Sequence, residues 1–339
     1  MDIEAGPRGR ARVWHHVEHG FGSLAIWTER VPGRGEDADP LAVFHRPTGM
    51  GLLAVFDGVG GSGRAAAGRT PLGVERTQAW IASRRVRGLV EEWFVSEHTA
   101  ASAEGLATHI ATRLGEDVPR RGRIRGSIHR ELPTTFAGLT FDIDGSVLRW
   151  ETLWAGDSRC YLLETGVGLQ QLSRDDCDLG DALAQLVQDP PMTNVICANQ
   201  PFRINASPGT ADLPCVLLCA TDGFFGYVDT PARFELLLLE TLLSSQDCLH
   251  WAGQLAERVG SYTGDDASLA MAAFGFTDFA ALRASFRARL DYLRQAHACP
   301  MDDVASAGRP ALVTARERSW QAYRDGYERR IATGSREHL

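Results

Sequence analysis

Leu53-Ala-Val-Phe-Asp-Gly-Val-Gly-Gly-Ser-Gly63 is the stretch from which the rest of the chain is best read. Apolar residues run unbroken to Phe56, an aspartate then meets a glycine-rich turn, and Arg64-Ala-Ala-Ala67 opens a stretch of helical spacing that reaches Leu114. A buried strand that ends on a carboxylate, with pliable backbone beside it, delivers charge to the rim of a sheet. The spacing Gly58-x-Gly60-x-x-Gly63 also fits the dinucleotide-binding fingerprint. Against that, Asp57 would turn negative charge toward a pyrophosphate. The position about 20 residues on also falls near Glu75, inside the helical stretch rather than at a strand end.

Further apolar runs of strand length lie to either side: Ser23–Trp27, Leu41–Phe44, Ala137–Phe141, Leu148–Trp154, Cys160–Leu163, Val216–Ala220 and Ser268–Phe274. Most are bracketed by Gly, Asp or Asn. A second helical stretch spans Pro231–Val259. Strands in runs and helices in runs point to an α+β fold of antiparallel sheets with helices packed outside, not to βαβ alternation. After Phe276 the pattern becomes helical. Phe279, Leu282, Phe286, Leu290 and Leu293 share one helix face, a loop is expected over Cys299–Pro310, and Leu312, Trp320, Tyr323, Tyr327 and Ile331 mark a second amphipathic helix. The chain therefore divides into a main domain, 1–276, and a helical extension, 277–339, which either packs on that domain or docks a partner.

Composition narrows the function classes. With 339 residues, 44% of them hydrophobic, the chain can bury a core and is not intrinsically disordered. A formal charge of −8 argues against a general nucleic-acid binder. Residues 277–339 carry 11 Arg against 8 acids, so the acid excess lies upstream. There is no lysine, which reads as a bias of a GC-rich source. Seven cysteines without C-x-x-C spacing suggest neither a zinc site nor a disulfide framework and read as reduced core residues. The N-terminus lacks the apolar core of a signal peptide, and the longest greasy run, Phe234–Leu243, is broken by Glu235 and Glu240. A cytosolic protein without membrane attachment is expected. The arginine-rich stretch Arg113–Arg130 reads as an exposed loop or as an electrostatic guide for an acidic phosphoprotein.

Acids recur wherever a strand should begin or end: Glu36-Asp37 before Leu41, Asp57 after Phe56, Asp157 after Trp154, Asp222 after Ala220, and Asp265-Asp266 before Ser268. Convergent carboxylates repel and raise one another's pKa unless a cation neutralises them. An all-oxygen donor set suits Mg²⁺ or Mn²⁺. Two such ions bridged by one carboxylate are an apparatus for attack of water on a phosphoryl group.

In order along the chain these segments resemble the metal-dependent, type-2C (PPM) family of serine/threonine protein phosphatases, over roughly residues 20–276. Glu36-Asp-Ala38 resembles its first acidic motif and Ala54-Val-Phe-Asp-Gly-Val-Gly-Gly61 its most recognisable segment. Thr134-Thr-Phe-Ala137, Trp154-Ala-Gly-Asp-Ser-Arg-Cys-Tyr161, Leu172-Ser-Arg-Asp175, Ala220-Thr-Asp-Gly-Phe-Phe225 and Gly264-Asp-Asp-Ala-Ser268 are similar to later motifs. The resemblance implies a central sandwich of two antiparallel β-sheets flanked by helices, with two metal ions at one rim. It implies that Asp57 bridges both ions, the Gly58 carbonyl binds one, Asp222 and Asp265 complete the other, and Glu36 acts through water beside Asp37. Asp157, with Asp222, would hold a third, weakly bound ion. A water bridging the two ions would attack phosphorus in line, with no phosphoenzyme.

Three positions depart from the family pattern. Pro32 stands where an arginine usually holds the substrate phosphate, so Arg30 or Arg34 must substitute. Val59 stands where some members carry a leaving-group histidine, and Pro133 replaces a glycine before the two threonines. The expected function is that of an intracellular, bacterial Mg²⁺- or Mn²⁺-dependent phosphatase that removes phosphate from serine or threonine in proteins, reversing a kinase. The alternative is a catalytically weak regulatory module that binds phosphoproteins or a kinase.

Overall fold

The strand that ends at Asp57 is paired antiparallel on both sides, with Leu41–His45 and with Phe136–Asp144, so no βαβ unit forms around the glycine-rich turn. In the computed structural model the described residues are 4–5, 11–69, 73–97, 102–116, 130–178, 182–187, 191–304 and 308–331. One sheet runs in the order β12 (Asn205–Asp212), β9 (Val147–Ala155), β8 (Phe136–Asp144), β5 (Met50–Val55), β4 (Leu41–His45). The other runs β1 (Glu4–Ala5), β2 (Arg12–Glu18), β3 (Phe21–Thr28), β14 (Ala267–Phe274), β13 (Cys215–Ala220), β10 (Arg159–Glu164), β11 (Gly168–Gln171).

The alternation of strand side chains builds the layers. On β5, Leu53 and Val55 enter the core between the sheets with Leu139, Leu217 and Phe274, while Leu52 and Ala54 face outward into a second core. That outer core is closed by α2 (Gln78–Glu97) and α3 (Ala103–Glu116). A third core lies on the far side of the seven-stranded sheet, under α6 (Pro231–Ser244) and α7 (Cys248–Tyr262). Because β5 is covered on both faces, its sequence is apolar throughout. The architecture is the α+β sandwich of antiparallel sheets between helical layers that the sequence implied.

Residues 64–77 depart from expectation. After the short helix α1 (Gly60–Gly63) the chain forms a ribbon, β6 (Ala66–Arg69) against β7 (Glu75–Thr77), and the long helix starts only at Gln78. Alanine favours helix locally. Here the chain must return so that Gln78 can cap the Ala65 carbonyl at 2.9 Å and Thr77 can reach Glu36.

The extension also differs in detail. The expected helix from Phe279 is broken at Phe286 into α8 (Phe279–Ser285) and α9 (Arg287–Leu293), followed by a π-helical turn, Arg294–Ala298. Cys299–Val304, expected as loop, is helix α10; Pro300 sits in its first turn, where a missing N–H costs nothing. The last helix, α11, spans Arg309–Tyr327. Leu282, Phe286, Leu290, Leu293, Trp320, Tyr323 and Tyr327 all enter the core that also holds Tyr161 of β10. Beyond α11, Arg330 donates to the Thr210 carbonyl of β12 (3.0 Å) and to Gln170 of β11 (3.1 Å), spanning the edges of both sheets.

Among the described residues no helix is long and apolar enough to cross a membrane. All seven cysteines are free; Cys160 and Cys219 lie 3.6 Å apart on paired strands, and Cys299 is exposed. Arg113 pairs with Glu92 and Arg130 with the Met192 carbonyl, while Arg120, Arg121, Arg123 and Arg125 lie outside the described residues.

Candidate functional site

Asp57 leaves β5 at the end of the sandwich, and its backbone is gripped at once. Its carbonyl accepts from the Thr135 N–H (2.8 Å) and from the Thr134 hydroxyl (2.7 Å). Val59 donates to the Pro133 carbonyl at 3.2 Å, so Gly58 faces Thr134 in a pair that exchanges no bonds of its own. In that arrangement the N–H and carbonyl of Gly58 point away from Thr134. A Cβ on Gly58 would meet the Ala79 and Glu36 carbonyl oxygens at 2.6 and 2.7 Å, which is why glycine stands here. Pro133, expected only to disturb a strand start, supplies the carbonyl that holds this turn.

Glu36 and Asp37 come from the loop before β4. The Glu36 carboxylate accepts from the Thr77 hydroxyl (2.5 Å), and its carbonyl accepts from Ser83 and Arg84. Arg84 and Arg76 both lie over the Trp80 ring and bind the Gly35 and Gly33 carbonyls, fixing the loop from α2 and from β7. Asp37 is buried and takes the Thr221 hydroxyl at 3.0 Å, while the Ser268 hydroxyl donates to the neighbouring Ala38 carbonyl at 3.2 Å. Burial, with the nearby charge of Asp266, pushes the Asp37 carboxyl up to about 7.

The turn Gly156–Arg159 is fixed at every position except its acid. Gly156 and Asp176 exchange hydrogen bonds: the Gly156 N–H donates to the Asp176 carboxylate (3.0 Å), and the Asp176 N–H donates to the Gly156 carbonyl (2.9 Å). Ser158 and Thr135 share a hydroxyl bond of 2.7 Å that ties the two sheets together. Arg159, 1% exposed, forks onto Asp175 at 2.9 and 2.7 Å. Asp157, in contrast, has a buried oxygen, Oδ1, without a hydrogen-bond partner.

Asp222 starts the short helix α5 (Asp222–Phe225), and a Cβ on Gly223 would run into the Asp266 carbonyl, so this turn packs directly on the start of β14. Asp265 is exposed and accepts the Asp266 N–H at 2.8 Å. Asp266 instead turns back into the structure and accepts the backbone N–H groups of Arg30 (2.8 Å) and Glu36 (2.6 Å). Both Arg30 and Arg34 have exposed side chains on this loop.

Electrostatics bring the acids into one group. The Asp57 carboxyl is raised well above the usual carboxylate range by burial and by the charges of Asp37, Asp222, Asp157 and Asp265. Asp157 is raised by burial and by Asp222 and Asp175; Glu36 by burial, with Asp266 and Asp265 adding to it. Among the described residues no three His, Cys, Asp or Glu side chains already stand in a metal-holding arrangement. The donor set nevertheless suits a hard divalent cation. It is made of oxygens, it carries mutually repelling charge, and the orphaned Asp157 oxygen is the kind of buried acceptor that a cation satisfies.

Sequence reasoning named the acids but not what steadies them. Nothing in the sequence pointed to these contacts of Thr77, Thr221, Asp176 and Tyr327, because each meets its partner across a long separation in sequence. The adjacent pair Asp265-Asp266 was visible, yet which of the two turns inward depends on how β14 enters its sheet.

No family model matches the chain, and no curated protein matches its sequence. Among solved structures it is similar to the serine/threonine phosphatase Stp1 from Staphylococcus aureus, at 15% identity and a TM-score of 0.48, with 81% of this chain and 98% of that one covered. It is similar to the serine/threonine phosphatase PstP/Ppp of Mycobacterium tuberculosis, at 17% identity and a TM-score of 0.45, with 78% and 98% covered. It is also similar to the PPM Ser-Thr phosphatase MsPP from Mycobacterium smegmatis, solved with cacodylate, at 15% identity and a TM-score of 0.47, with 74% and 97% covered. These three structures share the chain's fold at low sequence identity.

Proposed function

We propose that this protein is a metal-dependent phosphatase that hydrolyses phosphoserine and phosphothreonine in proteins. The observation that carries this reading is the group of half-buried acids, Asp57, Asp157 and Asp222, acting on one another at one end of the sandwich, with an Asp157 oxygen left unpartnered. Asp57, Asp222, Asp265 and the Gly58 carbonyl would hold two ions, with Glu36 acting through water and Asp157 serving a third. When bound there, Mg²⁺ or Mn²⁺ supplies Lewis acidity toward water and phosphoryl oxygens. Asp37, hydrogen-bonded by Thr221, adds its charge beside Asp57. Arg30 and Arg34 face solvent beside this rim, where a guanidinium fork can take a phosphate monoester. Val59 offers no proton, so the leaving alkoxide takes its proton from solvent. A phosphoprotein that is the product of a serine/threonine kinase, or the kinase itself, fits as substrate.

The test is hydrolysis of an aryl phosphate and of a phosphothreonine peptide with Mn²⁺, with and without chelator, in the parent and in Asp57→Asn. Turnover that requires Mn²⁺ and vanishes in the variant is expected. Equal turnover in Asp57→Asn would sink the mechanism. Absence of metal-dependent turnover together with tight phosphoprotein binding would favour a regulatory module instead.

A further inference from the structure

We propose that the last helix positions the acidic rim from behind, with Tyr327 and Arg159 as positioning residues for Asp157 and Asp222; this rests on the phosphatase reading above. Arg159 lies two residues after Asp157 and is buried to 1% exposure. Its Nε and Nη2 are taken by Asp175, Nη2 also reaches Gln185 at 2.8 Å, and Nη1 donates to the Tyr327 hydroxyl at 3.4 Å. Its guanidinium stacks over Phe225 at 4.3 Å, and Phe225 ends the short helix that begins with Asp222. One side chain therefore links α11 to the turn carrying Asp157 and to the turn carrying Asp222.

The helix is itself held in place at several points. Tyr323 donates to Glu235 of α6 at 2.5 Å, and Glu235, fully buried, receives the Arg289 fork at 2.8 Å on each oxygen. Arg316 pairs with Asp229, and Arg330 binds the edges of both sheets. Tyr327 is 1% exposed and packs against Tyr161 and Trp320 with centroids 6.2 and 5.8 Å away. A helix fixed this firmly gives Arg159 a stationary partner. The Gly156–Asp176 latch and the Ser158–Thr135 bond fix the residues on either side of Asp157, whose buried Oδ1 has no hydrogen-bond partner. Residues outside a ligand set commonly govern its affinity by fixing ligand orientation.

Tyr327→Phe in the full chain tests this, since it keeps the ring and removes the hydroxyl. Mn²⁺ binding followed by calorimetry should weaken about tenfold, with kcat falling and KM for an aryl phosphate unchanged. Amide hydrogen exchange over residues 156–160 should quicken, while the metal-free melting temperature stays within about 2 °C of the parent. Tyr323→Phe is the comparison, because it loosens the same helix at its other anchor. Unchanged Mn²⁺ binding, kcat and exchange in Tyr327→Phe overturn the proposal; Tyr323→Phe, which leaves the Arg159 contact in place, should shift the same readouts in the same direction but less. A parent protein that neither binds Mn²⁺ nor hydrolyses phosphate defeats the phosphatase reading instead, and the exchange at 156–160 then still decides whether α11 holds the turn.

Discussion

The hydroxyl of Thr221 donates to the carboxylate of Asp37 at 3.0 Å, joining the end of one sheet to the loop that opens the other. The same hydroxyl accepts the Ser268 N–H at 2.9 Å, and Ser268 in turn donates to the Ala38 carbonyl at 3.2 Å. Three residues with no chemistry of their own thereby hold Asp37 and its neighbour Ala38 in place, where the Asp37 charge acts on Asp57. Thr221→Val preserves shape and removes the donor. It should cost about 1–2 kcal/mol of stability, read from urea denaturation, because a buried carboxylate is left short of a hydrogen bond. No loss would mean that Asp37 does not depend on this contact.

Acidity should set how much the protein gains from a cation. Asp37 is raised from the ordinary range to about 7, with Asp57 raised beside it, so their protonated forms favour the fold. That stabilisation is complete below about pH 4 and is lost as pH climbs through about 7. The metal-free protein should melt higher at pH 5 than at pH 8, and Mn²⁺ should raise the melting temperature more at pH 8. An equal Mn²⁺ effect at both values would contradict the cation site.

Arg30 and Arg34 can be separated by kinetics. If one of them takes the substrate phosphate, its alanine variant should raise KM for an aryl phosphate about tenfold, the worth of a charge-assisted bond, and weaken inhibition by inorganic phosphate. The other should change neither. Parent-like values in both variants remove this loop from substrate binding.

The extension carries its own acid sensitivity. His297 is buried against the Ser319 hydroxyl at 2.9 Å, between the rings of Tyr292 and Tyr323, and Nε2 has no partner. Burial, with the charge of Arg289 outweighing that of Glu235, lowers its pKa below 6.5. A base held neutral in the fold stabilises above the unfolded value and loses that stabilisation as pH falls through and below about 6.5. Proteolysis within α11 should therefore accelerate on going from pH 7.5 to 5.5, and His297→Gln should flatten the dependence. Identical profiles would clear His297 of any part in docking.

Much of this was legible in the chain because buried strands announce themselves. β5, β13 and β14 are apolar on both faces, and their ends mark where Asp57, Asp222 and Asp265 leave the sheets. β12 escaped notice because Asn-Ala-Ser-Pro-Gly-Thr-Ala-Asp has neither alternation nor strand propensity; only its neighbour β9 makes it a strand. Residues 64–67 misled for the opposite reason, their alanines favouring a helix that tertiary contacts at Thr77 and Gln78 override. The site showed the same division. Its charged residues were evident from type and placement, whereas the hydroxyls and the distant tyrosine that orient them acquire meaning only once folding brings them together.

β12 also closes one side of its sheet, and an open strand is an invitation to a second molecule. The Thr210 carbonyl faces outward, where Arg330 occupies it, so Pro208, two residues earlier, faces outward too. Proline has no N–H to offer there. One outward position therefore lacks a donor and the next has its acceptor already engaged. The last turns of the chain thus do more than fill a core: they help keep the sandwich from growing by strand addition, a safeguard against edge-to-edge association written partly in β12 and partly 120 residues away.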